Sequence, residues 1–173
     1  MNVKFMNPFI EAATEVLKVE CGVDVGRGNL SLAKSSMTAE DITVLLSLVG
    51  QIQGVVLYGL STTTALSLVS RVMGQQFSTF DNLAQSGVAE LGNVITGRAT
   101  VKLSEAGYNV NISPPTLIQG KGITISTLDF GRICVPLKTE FGEISTHLAL
   151  RESPPGMGDS NFVPVTISPE VMV

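Results

Sequence analysis

Ser86, Glu90 and Asn93 stand four and then three residues apart in Ser86-Gly-Val-Ala-Glu-Leu-Gly-Asn-Val-Ile-Thr-Gly97. At about 100° per residue, this spacing stacks the three side chains into one polar stripe along a helix. Gly97, one turn further on, falls in the same stripe, and Gly92 sits beside it. A helical Gly costs roughly 1 kcal/mol against Ala, so this pair predicts a surface that something approaches closely. A carboxylate and a carboxamide wait there with no bulk between them. The carboxamide can hold a water through both its N–H and its C=O, without needing a particular pH. This stripe is the candidate site.

The helix that must carry it has clear ends. Asp81 is the expected N-cap, and the helix is expected to run to about Ala106 and stop at Gly107. Val88, Leu91, Ile95 and Ala99 recur opposite the stripe, so the stripe should face outward. A first helix is expected from Asn7 as cap and Pro8 at the first helical position, ending at Gly22. Val23–Leu32 alternates loosely as a strand. Ile42-Val44-Leu46 and Gly54–Leu60 read as a hairpin turning near Gly50-Gln51, and Ser61-Thr62 opens a helix through Met73 to Gly74. Strands follow around Val110–Ile118 and Ile123–Leu128, then a hairpin from Gly131 to Arg151 that turns near Phe141-Gly142. Residues 152–173 contain prolines and no sustained period, and are expected to form an extended or disordered tail.

Composition narrows the function. The chain has 173 residues, 44% of them hydrophobic, which suits one folded domain with a sizeable core. Net charge is −4 with no basic patch, which argues against a nucleic-acid partner. Charged residues are only 15%, so part of the apolar surface is expected to be covered by another subunit. Cys21 and Cys134 read as buried, reduced thiols, since no Cys-x-x-Cys or Cys/His cluster exists. His147 stands alone and reads as structural, and no metal site is expected. Neither a secretory signal nor an eighteen-residue apolar run is found, so the expected location is cytoplasmic with no membrane partner.

Ser-x3-Glu-x2-Asn on a long helix, followed by a Pro-rich strand, resembles the signature of the CheC, CheX and FliY phosphatases of bacterial chemotaxis. The later match is Ile112-Ser-Pro-Pro-Thr-Leu-Ile-Gln-Gly120. The family's proline falls 23 residues after its Asn, which is Thr116 here; Pro114 and Pro115 stand just before it. The likeness spans residues 1 to about 151 and is closest to CheX, which carries one active helix. It implies hydrolysis of the aspartyl phosphate on a CheY-type response regulator. Asn93 would place the attacking water, and Glu90 would dock and orient against a lysine of the partner. Ser86, Gly97, Pro114 and Pro115 would contact the partner. Mg²⁺ is expected only in the partner's active site, with no cofactor in this chain. Such catalysis is mostly positioning and charge stabilisation. The resemblance also implies a homodimer joined through sheets, for which Gly131–Arg151 is the candidate contact. The alternatives are a catalytically silent regulator-binding or flagellar-switch-type module, and a structural dimer whose helix face is merely solvated.

The two halves also resemble each other. Each reads as helix, strand and hairpin, and each hairpin begins Ile-x-Val-x-Leu (Ile42-Val44-Leu46, Ile133-Val135-Leu137). Asn7, Glu11 and Thr14 align with Ser86, Glu90 and Asn93, so Thr14 replaces the amide and leaves one site. The expected fold class is therefore α+β: a mostly antiparallel sheet, two long helices on one face, and two intertwined helix–strand–hairpin repeats. The expected division is 1–151 for the phosphatase domain and 152–173 for the tail. Asp129-Phe130-Gly131 lacks every other kinase motif and reads as a turn. Gly26-Arg-Gly28 lacks the third glycine of a dinucleotide site.

Overall fold

The computed structural model describes residues 3–33, 36–127, 130–156 and 164–169. Local signals set most element ends. α2 (Thr62–Met73) starts where the Ser61 hydroxyl accepts the Thr64 N–H at 3.1 Å, and stops at left-handed Gly74. α3 (Asn82–Glu105) starts where the Asp81 carboxylate accepts the Ala84 N–H at 2.8 Å. α1 (Met6–Cys21) ends at left-handed Gly22 as expected, but Asn7 does not cap it. A 3-10 turn, Val3–Phe5, runs straight into Met6 and moves the start upstream. Pro8 then sits two positions deeper, still in the first turn, where its missing N–H costs nothing.

The sheet is antiparallel throughout. β4 (Ile42–Gly50) and β5 (Ile52–Leu60) form one hairpin, β9 (Arg132–Thr139) and β10 (Gly142–Glu152) the other. The hairpins meet along β5 and β10, from Ser145 opposite Gly59 to Glu152 opposite Ile52. Short strands of each half pair with the other half's hairpin. β1 (Gly26–Arg27) and β2 (Ser31–Ala33) line β9, while β6 (Val110–Ile112) and β7 (Thr116–Gln119) line β4. The repeats are thus intertwined. The expected single strand Val110–Ile118 is split because Pro114 and Pro115 have no N–H to give the ladder. The hairpin expected to contact a second subunit, Gly131–Arg151, has both its edges paired within the chain, β10 with β5 and β9 with β1 and β2.

Period-2 alternation gives the central strands two buried faces. Val44, Leu46, Val56, Tyr58, Val135 and Leu148 belong to the core shared with all three helices. The two long helices α1 and α3 pack on that face as expected, and α2 joins them there. Leu45, Val55, Leu57 and Ala149 point the other way and pack against Ile125 and Met37. A second sheet supplies that cover: β8 (Thr124–Ser126) between β3 (Ser36–Thr38) and β11 (Thr166–Ser168). The tail thus contributes a strand. Leu128 of the expected Ile123–Leu128 strand and Asp129 of the expected turn lie outside the described residues.

Where β5 meets β10, Gly54 has φ 147°, and a Cβ there would lie 1.9 Å from the Ala149 carbonyl oxygen. Gly54→Ala must move backbone at the seam between the halves. Strain and overpacking together should cost about 3 kcal/mol of stability, read as a lower denaturation midpoint in urea.

Candidate functional site

α3 displays the stripe as its spacing demands. Ser86 and Glu90 are exposed, while Val88, Leu91, Ile95 and Ala99 on the opposite side are buried. The Asn93 amide reaches Glu90 at 3.5 Å, the outer limit of a hydrogen bond, so the two side chains stand together with capacity to spare. Asn93 is half-buried rather than fully exposed, because it lies on the shoulder of the helix.

The two glycines divide. Gly92 is buried, and a Cβ on it would lie 2.8 Å from Val44 Cγ1. Its lack of a side chain therefore serves the contact of α3 with β4, not an incoming molecule as expected. Gly97 has open space where a Cβ would be, so its bareness does face outward. Beneath Asn93's turn, the Thr96 hydroxyl donates to the Gly92 carbonyl at 2.8 Å, so Tyr58 donates its own hydroxyl to Thr96 at 2.9 Å. Both are buried, and burial pushes the Tyr58 hydroxyl's pKa up. No local sequence signal marks this support, since only the strand–helix packing brings Tyr58 and Thr96 together.

Ser86, Glu90, Asn93 and Gly97 share one helix; Pro114 and Pro115 are carried by the link between β6 and β7, at the edge of β4. That link is pinned by Ser113, whose N–H donates to the Ser47 carbonyl and whose hydroxyl accepts the Ser47 N–H, each at 2.9 Å. The polar groove of Thr100, Val101, Ser104, Asn109, Val110 and Asn111 shows that α3 runs beside β6.

The counterpart stripe on α1 is differently engaged. Glu11 lies 3.4 Å from the Lys102 ammonium, and the Thr14 hydroxyl donates to the Ile10 carbonyl at 2.8 Å. Lys102 and Arg98 of α3 also grip Glu15, at 2.7 and 2.9 Å, and hold its carboxyl below the usual range. These bonds clamp α1 to α3, whereas among the described residues Glu90 has no basic partner and stands beside Ser86 and Asn93.

The family model "Chemotaxis phosphatase CheX" matches residues 42–138, a stretch that includes the whole stripe and the Pro114-Pro115 link. The "CheY-P phosphatase CheX" of Thermotoga maritima is 30% identical over 128 residues, covering 73% of this chain and 83% of that protein. A CheC-like superfamily protein from Shewanella sp. PV-4 superposes with a TM-score of 0.79 at 28% identity, covering 87% of this chain and 99% of that one. The CheX–CheY–BeF3–Mg²⁺ complex of Borrelia burgdorferi shares the fold at a TM-score of 0.69 and 24% identity, with 87% and 100% covered.

The remaining chemistry-bearing side chains lie elsewhere. Cys21 is buried, and Cys134 stands 4.0 Å from His147 Nε2 on the sheet face away from the helices. Burial pushes both thiols up, which suppresses the thiolate. Among the described residues no three His, Cys, Asp or Glu side chains cluster as a metal site would need. Burial and the nearby Arg132 lower the His147 pKa from 6.5 to about 4. Between those values the unfolded chain takes up a proton that the folded chain refuses, so acid favours unfolding. Stability should fall by about 2 kcal/mol from about pH 7 to about pH 4.5. His147→Gln should flatten that part of the profile, measured by chemical denaturation at each pH.

Proposed function

This chain belongs to the CheX family of chemotaxis phosphatases, and we propose that it hydrolyses the aspartyl phosphate of a CheY-type response regulator. The observation that carries this reading is the pairing of Glu90 and Asn93 on the open face of α3, inside the matched region. Asn93 holds a water in line with the phosphorus through its amide. The water oxygen bonds to phosphorus as the bond to the regulator's aspartate oxygen breaks, and the aspartate leaves as a carboxylate. Glu90 contacts a lysine beside the phosphoryl group. That lysine and the partner's Mg²⁺ offset the repulsion between the carboxylate and the phosphoryl oxygens. The Borrelia complex contains Mg²⁺ together with CheY, which supports placing the cation on the regulator. Ser86 and Gly97 border the contact on α3, and Pro114 and Pro115 touch the regulator from the strand side.

Residues 1–151 form the phosphatase unit in this reading. The segment after Arg151 is an appendage whose β11 helps cover the sheet. No helix among the described residues is long and apolar enough to cross a membrane.

Asn93→Ala should slow dephosphorylation of the regulator at least about 100-fold, as loss of one positioned transition-state group does. It should leave regulator binding and the denaturation midpoint nearly unchanged. Glu90→Ala should weaken binding as well as rate. Release of phosphate from the ³²P-labelled regulator checks both, and wild-type turnover in the two variants would sink the assignment.

The active form is a homodimer. Since β9 is already paired, its contact lies on the outer edge of β1 and β2, where Leu32 is 85% and Leu30 43% exposed. Sedimentation at micromolar concentration should give a dimer, and Leu32→Lys should give a monomer that keeps the α3 stripe open.

A further inference from the structure

A groove runs between α3, the end of α2 and the end of α1, directly beside the polar stripe. Ser86 and Glu90 form one wall of it. Its other lining is nearly all apolar: Met73, Leu83, Gly87, Leu91 and Val94. Met73, Leu83 and Val94 keep 37%, 48% and 37% of their surface exposed. Each alone would be unremarkable on a folded surface, but together they make one patch adjoining the site. The close packing that forms it is built in. A Cβ on Gly87 would lie 2.4 Å from Val69 Cγ2 and 3.1 Å from Met73 Sδ, so the glycine lets α2 settle against α3 and brings Met73 to the groove.

We propose that this groove seats an apolar side chain of the phosphorylated regulator, flanked there by a lysine or arginine. The proposal rests on the phosphatase reading and deepens it. Two observations choose this occupant. Glu90, whose carboxylate stands 3.5 Å from the Asn93 amide, also walls the groove, so a partner that brings a phosphoryl group to Asn93 lies against the groove's rim. The groove also carries the carboxylates of Glu20 and Glu90 at its rim, on a chain of net charge −4. A second copy would bring the same carboxylates against them across a two-fold axis, whereas a basic neighbour of the apolar anchor complements them. The open volume, about 340 Å³, admits one large side chain with its surroundings. Met73 supplies a thioether that adapts to its shape.

The test compares steady-state dephosphorylation of the regulator by the wild type, Leu83→Asp, Met73→Asp and Leu83→Met. Each aspartate variant should raise KM about 30-fold, as removal of a central apolar contact does, and change kcat less than about two-fold. Leu83→Met should restore the wild-type KM, and Asn93→Ala should show the reverse split, with kcat lost and KM kept. Met73→Asp sits on the opposite wall and carries the test alone if Leu83→Asp fails to fold. A wild-type KM in the folded aspartate variants, with Asn93→Ala inactive, overturns the groove assignment and leaves the phosphatase reading standing. Full activity of Asn93→Ala overturns that reading instead. Conversion of the dimer to a monomer by the aspartate variants, with regulator affinity unchanged, gives the groove to a second copy and also overturns the proposal.

Discussion

α3 can lie close on β4 only because Gly92 has no side chain: a single Cβ there would stand 2.8 Å from Val44. That contact, locked from below by the Tyr58–Thr96–Gly92 hydrogen bonds, sets both the height and the rotation of the helix. A helix with one face fixed has its other face fixed too, at 3.6 residues per turn. Seating Val88, Gly92, Ile95 and Ala99 inward leaves Ser86, Glu90 and Gly97 no direction but outward. Asn93, between the two sides, is held partly down, which restricts the amide that the proposed reaction would use to hold a water. The clamp of Glu11 and Glu15 on Lys102 and Arg98 resists rolling of α3 from the flank.

Much of this was readable from the sequence, and for local reasons. Ser61 and Asp81 cap their helices because a short oxygen-bearing side chain answers an N–H within three residues. The hairpins announce themselves by alternation around Gly50 and Gly142. The polar stripe follows from periodicity alone, and the family signature gave it a chemistry. What could not be read depends on partners far along the chain. β3 and β11 are three-residue strands, too short for a period, and exist because β8 and the sheet's second face give them something to pair with and cover. At the start of α1, Asn7-Pro8 is a good local signal that the packing of the buried Phe5 and Met6 overrules. Gly92 and Gly97 look alike in the sequence, which does not tell which side of a bare helix position is crowded.

The first helix shows how a duplicated unit is reused. Each repeat has an amphipathic helix and a hairpin, and the sheet needs both hairpins to close its two-sided core. Only the second carries an amide at this position, Asn93 against Thr14. In the first, the carboxylates turn toward the basic residues of the neighbouring helix and became structural, so one copy now braces the other.

The exchange of short strands between the halves has a bearing on how the chain reaches this structure. β4 acquires its edge partners β6 and β7 only after α2 and α3 have intervened, while β1 and β2 must wait for β9, roughly a hundred residues later. Neither half can complete its own sheet while emerging from the ribosome. The first hairpin leaves synthesis with an open, strongly apolar edge, and loops must close over long separations before the rewarding contacts form. Such a topology trades early, stepwise folding for a native state in which neither repeat can peel away without unpairing the other.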